Sequence, residues 1–156
     1  MTQVNTGISA EDRKRVAEGL SRVLADSYTL YVKTQNYHWN VEGPSFKQLH
    51  ELFEEQYTDL REAIDEIAER IRALGHHAPG SFREFGKLAA VPEETGQPDW
   101  QQMVRQLAED QETVVGTLRQ VVTTAAQASD HVTEGLVTDR LQVHEKNAWM
   151  LRAHLS

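Results

Sequence analysis

Residues 45–75 read SFKQLHELFEEQYTDLREAIDEIAERIRALG, and their periodicity decides the fold. Leu49, Phe53, Tyr57, Leu60, Ile64, Ile67, Ile71 and Leu74 recur at intervals of three and four, the period of an amphipathic helix. Ser45, with Gln48 three residues on, predicts a capping box at its start, and Gly75 predicts its end. Beside the apolar stripe stand His50, Glu54, Asp65 and Glu69, within an arc of roughly 100° on a helical wheel. Both i,i+4 pairs, His50/Glu54 and Asp65/Glu69, therefore share one face of one helix.

Working outward, the spacing predicts a first long helix over about residues 10–40. Ser9 and Asp12 form a possible capping box, and Val16, Leu20, Leu24 and Tyr31 lie on one face. Gly43 and Pro44 end it. Residues 76–98 are punctuated by Pro79, Gly80, Gly86, Pro92, Gly96 and Pro98, leaving room for one short helix around Phe82–Leu88. A third long helix begins near Asp99 and carries Met103, Val104, Leu107, Val114, Leu118 and Val122. A fourth, capped near Asp130, carries Val137, Leu141, His144, Ala148 and Leu151. Short links join helices one and two and helices three and four, with a long crossing between the pairs. That layout is an all-α, ferritin-like four-helix bundle with a short extra helix in the connection between helices two and three. The 156 residues make one domain, with residues 1–8 expected to be a flexible lead-in.

Composition excludes several classes. No stretch approaches the ~18 consecutive apolar residues of a membrane span. Met1–Arg15 lacks the apolar centre of a secretory signal, so a cytoplasmic protein is expected, with nucleoid association left open. With no cysteine, disulfides and thiolate ligands are ruled out. The balance of 24 acidic and 16 basic residues gives a net charge of −8, which favours cations and repels polyphosphates.

Two imidazoles and three carboxylates, His38, His50, Glu54, Asp65 and Glu69, have the donor chemistry of an iron site. His38 falls within about 40° of Leu20, Leu24 and Tyr31 on its helix, so it points inward. Spacing alone leaves two readings open, a ligand set or a core histidine beside a solvated acidic face such as Glu51, Glu55, Glu62 and Glu66 supply. Distance adds a constraint. Glu54 and Asp65 are eleven residues apart, about 16 Å at 1.5 Å per residue, whereas metal–ligand bonds are near ~2 Å. Two copies of the helix packed antiparallel about a two-fold axis near Asp59 and Leu60 would bring His50 and Glu54 of one chain to Asp65 and Glu69 of the other.

The run Asn36-Tyr37-His38-Trp39-Asn40-Val41-Glu42-Gly43, followed by Leu49-His50 and Glu54, resembles the signature of the Dps mini-ferritins. A second match, Ile64-Asp65-Glu66-Ile67-Ala68-Glu69-Arg70-Ile71 ending in Leu74-Gly75, follows in the right order. The resemblance implies a hollow homo-dodecamer that oxidises Fe(II), preferably with hydrogen peroxide and otherwise with oxygen, and stores Fe(III) as mineral. It implies ferroxidase sites at two-fold interfaces, with His38, His50 and Glu54 from one chain and Asp65 and Glu69 from the other. Glu54 stands where several relatives have Asp, one methylene shorter.

Trp39, counted with the catalytic set, has two readings: an aromatic that intercepts stray oxidising equivalents, or a core-edge anchor, with packing favoured. The resemblance further implies acidic three-fold pores lined from the start of the last helix, here Asp130, Glu134 and Asp139, with Gly135 where relatives often have Asp. Asp130 and Glu134 are equally explained as charges complementing a helix dipole. Glu51 and Glu55 are candidate interior carboxylates for the mineral. Arg13, Lys14 and Arg15 are offset by Glu11 and Asp12, so no basic tail is expected and direct DNA binding should be weak or absent; a DNA-condensing nucleoid protein is the alternative.

Overall fold

The computed structural model describes residues 3–156 as α1 (Ala10–Asn40), α2 (Phe46–Ala73), α3 (Phe82–Leu88), α4 (Trp100–Gln127) and α5 (His131–Ala153). The four long helices and the short one in the crossing form the expected four-helix bundle. α1 packs on α2 and α4, α5 packs mainly on α4, and α3 lies against α1. The core is the set of apolar stripes read from the sequence: Val16, Leu20 and Leu24 of α1, Leu49, Phe53, Leu60 and Ile67 of α2, and Val104, Leu107, Val114 and Leu118 of α4 are buried in one cluster. Of the N-terminal segment, residues 1 and 2 lie outside the described residues. Ile8 packs against the core and the Val4 side chain sits over Gly75.

The helix ends follow local chemistry. Ser9 accepts from the Asp12 amide at 3.1 Å, and Asp99 with Gln102 forms a full capping box at the start of α4. At Ser45 the expected box is absent. Its backbone, at φ −109° and ψ 28°, is not in the extended conformation that aims a cap oxygen at the helix amides. Instead Gly43, at φ +127°, makes a tight turn in which its carbonyl accepts from the Phe46 amide at 3.1 Å. At the other end of α2, Gly75 closes a Schellman motif, with the Gly75 amide bonded to the Arg72 carbonyl and the His76 amide to the Ile71 carbonyl.

The long crossing is fastened by buried charge. The fully buried Asp26 carboxylate accepts from the Ala90 amide at 2.6 Å, the Val91 amide at 3.1 Å and the Thr117 hydroxyl at 2.6 Å. One side chain thus ties α1 to the crossing and to α4. Lys33, also buried, reaches the Pro92 carbonyl at 3.0 Å and the Asp110 carboxylate at 2.8 Å. Burial pushes the Asp110 carboxyl upward and the Lys33 ammonium opposes that shift.

Asp26→Ala leaves two backbone amides in the crossing without their acceptor. A loss of about 2–4 kcal/mol is expected, because hydrogen bonds to charged groups contribute about 1.5–3 kcal/mol each. Thermal unfolding followed by circular dichroism should show a lower midpoint with the helical content of the folded chain retained.

Candidate metal centre

His38 lies in the last turn of α1 and His50 near the start of α2, and the five-residue turn between the helices brings the rings face to face. Their centroids are 3.8 Å apart with the planes 14° from parallel. The two rings exchange hydrogen bonds: Nδ1 of His38 donates to the His50 carbonyl at 2.6 Å, and Nδ1 of His50 donates to the His38 carbonyl at 2.7 Å. The His38 carbonyl belongs to the end of α1, where helical acceptors are left without a partner, so the clasp also closes that helix. With both Nδ1–H groups committed to carbonyls, Nε2 of each ring carries the free lone pair. This backbone orientation of an imidazole is how metal-binding histidines are held.

The rest of the expected set divides along α2. Glu54 stands exposed one turn beyond His50. Asp65 and Glu69 are exposed one turn apart, and their carboxyls come within hydrogen-bonding reach. That contact, with repulsion from Asp65, holds the Glu69 carboxyl above its usual range. Among the described residues no three His, Asp or Glu side chains of one chain come together to cage a metal. The chain carries two separate half-sets, an imidazole pair beside Glu54 and a carboxylate pair about 16 Å further along the helix.

The bundle interior offers no substitute. Asp26, Asp110 and Asp130, the buried carboxylates, are held by amides and a hydroxyl, by Lys33, and by Arg70 with Thr133. At mid-bundle the buried polar side chains include Gln56, Gln111, His144 and Arg140. His144 donates from Nδ1 to Gln111 at 2.6 Å, while its Nε2 accepts from Arg140 at 3.2 Å, and Arg140 pairs with Asp59 at 2.9 Å. Amides and a guanidinium are poor company for Fe(II), so the inside of a single bundle lacks the donors an iron pair needs.

Two expectations are corrected here, those for Asp130 and Trp39. Asp130 does not line an opening: it is buried, caps α5 through the Thr133 amide at 3.0 Å and pairs with Arg70 at 2.8 Å. The helix-cap reading holds for it. Glu134 is half-exposed and 3.9 Å from His131, and Asp139 is exposed. Trp39 is 65% exposed and does not anchor the core edge of its own chain, because its α1 position faces away from the stripe that carries His38. Arg13, Lys14 and Arg15 lie inside α1, where Arg13 is buried and Arg15 pairs with Asp12.

The sequence reading did not place Phe46 and Tyr57 at the site. Phe46 stacks on His50 at 5.0 Å, and Tyr57 stands edge-on to His38 at 5.3 Å. Their offsets of four and seven residues from His50 put all three on one helix face, and that was the available signal.

This architecture defines the class: a ferritin-like helical bundle, and the family model for the ferritin-like domain matches residues 17–156. A low temperature-induced protein of Nostoc sp. is 42% identical over 99% of this chain and 88% of its own length. DNA protection during starvation protein 2 of Bacillus anthracis is 37% identical over 92% of this chain and 98% of its own. The crystal structure of the Vibrio cholerae Dps protein superposes with a TM-score of 0.93 at 33% identity. It covers 100% of this chain and 99% of that one, and that protein is described as a member of the ferritin-like diiron-carboxylate superfamily. The chain belongs to the Dps family of mini-ferritins.

Burial, with Arg140 nearby, pushes His144 down to about 3 from an ordinary 6.5. Between those values the unfolded chain binds a proton that the folded chain refuses. The contribution of His144 is therefore complete above 6.5 and is lost progressively as pH falls toward 3. Replacing it, His144→Gln, should flatten that part of the stability–pH profile, read as thermal midpoints at neutral and mildly acidic pH.

Proposed function

We propose that this protein is a ferroxidase and iron store. It oxidises Fe(II) with hydrogen peroxide, or oxygen, at sites shared between two-fold-related subunits, and holds Fe(III) as mineral inside a hollow dodecamer. The observation that carries this reading is the pair of incomplete half-sets on α2. An antiparallel partner places the clasped His38 and His50, with Glu54, against Asp65 and Glu69 of the other chain. The donor set then contains two imidazole nitrogens and three carboxylates, which suits iron and leaves positions for the oxidant. Two Fe(II) ions give one electron each, the O–O bond of peroxide breaks, and with two protons two waters form. Fe(II) and peroxide are consumed together, which limits hydroxyl-radical chemistry.

The electrostatics support the reading. A hydrogen bond with Asp65 and then its charge raise the Glu69 carboxyl, and a cation between the two would take the place of the shared proton, so protons and Fe(II) compete there and binding weakens as pH falls. Glu51, Glu54, Glu55, Asp59 and Glu62 line an open acidic groove along α2, where oxidised iron can collect. Twelve chains of net charge −8 carry a formal charge on the order of −100, a field that draws cations inward. Glu134 and Asp139 are the remaining acids for a three-fold entry. Trp39, Phe46, Phe82, Val132 and Trp149 are exposed apolar side chains that contact with other copies could cover. No helix among the described residues is long and apolar enough to cross a membrane.

Asp65→Ala with Glu69→Ala should lower peroxide-dependent Fe(II) oxidation by more than the ~10–100-fold that follows loss of an outer-shell partner, with the shell still assembled. Mixed dimers of that variant with His50→Ala/Glu54→Ala should regain part of the rate, since each keeps the half-set the other lacks. Unchanged oxidation in the first variant, or no recovery in verified mixed dimers, overturns the shared site.

The family name of the relatives raises DNA binding as a second reading. With its net charge of −8, the chain repels a polyanion. Gel shifts at about 150 mM salt without Mg²⁺ should show no retarded DNA, because phosphate contacts weaken steeply with salt. Retardation under those conditions would favour the nucleoid reading.

A further inference from the structure

The imidazole pair is the head of a longer file of rings. Tyr57 stands edge-on to His38 with centroids 5.3 Å apart. Tyr31 stands edge-on to Tyr57 at 5.9 Å, and Tyr28 edge-on to Tyr31 at 5.8 Å. Three of the chain's four tyrosines thus lie in unbroken succession along the seam of α1 and α2, ending where Tyr28 stacks on Phe85 of α3 at 4.7 Å. Tyr28 and Tyr31 share a face of α1 because they are three residues apart. The fourth, Tyr37, is outside the file although it adjoins His38 in sequence: it is fully buried and its hydroxyl donates to Gln106. Tyr28, Tyr31 and Tyr57 are only half-buried, in contrast to Tyr37. Edge-to-face contact stabilises any aromatic pair, but only a phenol among these rings can yield an electron and a proton together.

We propose that Tyr57, Tyr31 and Tyr28 form a relay that supplies the second electron to peroxide when a site holds one Fe(II) instead of two; this rests on the ferroxidase reading. Peroxide needs two electrons and two protons to become two waters. Fe(II) gives one electron and becomes Fe(III), Tyr57 gives the second with its phenolic proton, and solvent gives the other proton. The O–O bond breaks and no hydroxyl radical is released. The Tyr57 phenoxyl then takes an electron and a proton from Tyr31, and Tyr31 from Tyr28, which moves the radical away from the metal. A later Fe(II) at the site returns an electron along the same rings and becomes Fe(III), while the tyrosine regains a proton from water. The sum is that of the two-iron reaction: two Fe(II), one peroxide and two protons give two Fe(III) and two waters.

The test loads the assembled protein with one Fe(II) per site, adds peroxide, and reads freeze-quenched EPR spectra beside spin trapping. A tyrosyl signal that narrows when the protein carries ring-deuterated tyrosine is expected. Tyr57→Phe should remove most of that signal and raise trapped hydroxyl radical, and Tyr31→Phe, which interrupts the same file one ring further on, should leave a signal on Tyr57 alone. The relay is overturned if no tyrosyl signal forms, if the radical sits on tryptophan, or if it survives Tyr57→Phe undiminished. Wild-type protein at full iron loading separates the two ideas. Rapid oxidation there without a tyrosyl signal at low loading removes the relay only, whereas failure to oxidise Fe(II) with peroxide removes the ferroxidase reading and the relay with it.

Discussion

A straight α-helix cannot fold back on itself, and in this chain that constraint governs the rest. α2 carries an imidazole-and-glutamate group near one end and a carboxylate pair near the other, about 16 Å apart. The helix holds the two groups at fixed separation and on one face, so they cannot meet around one ion within a subunit. On the shared-site reading they are two halves that an antiparallel copy would complete. The stiffness that keeps the halves apart is the same property that would register them against a partner.

The interior of the bundle shows how charge was kept from competing with that arrangement. Burying a carboxylate is costly unless it is paired and hydrogen-bonded, and each buried one here has such partners. Asp26 gathers two amides and a hydroxyl, Asp110 faces Lys33, and Asp130 faces Arg70. These contacts fasten the crossing and the start of α5 and remove the acids from the metal-binding inventory. His144 is held neutral between Gln111 and Arg140 for the same reason. The free carboxylates that remain near the imidazoles are on the outer face of α2.

Much of this was legible from residue order. The 3.6-residue period of α2, the apolar stripes of α1 and α4, and the Gly/Pro punctuation around Phe82–Leu88 place the helices because the same apolar side chains form the core. What stayed hidden was contact across large sequence separation. Nothing local in Asp26 announces that it holds Ala90 and Val91, and nothing local in Asp130 announces Arg70. Ser45 shows the reverse case, where a good capping sequence was overruled by the Gly43 turn. The end of α4 is similar: Ser129 adopts φ 54°, a conformation usually given to glycine, and the Asp130 amide closes the helix on the Ala125 carbonyl. For the site, wheel angles place His38 inward, but the clasp of the two rings on each other's backbone, which leaves Nε2 free, depends on how the turn between α1 and α2 brings them together.

The two halves differ in how ready they are, and that difference bears on why assembly and iron binding would be linked. The imidazole half is held in place by its own crossed hydrogen bonds and needs no cation to order it. The carboxylate half is in mutual repulsion, which a proton on Glu69 relieves in part and a divalent cation would relieve more fully. A cation gripped by both halves therefore binds the paired state better than the separate chain. Any ligand with such a preference shifts the equilibrium toward that state by mass action. In the shared-site arrangement Fe(II) would be both substrate and cement, and acid would loosen the contact because protons compete with the cation for the Glu69 carboxylate.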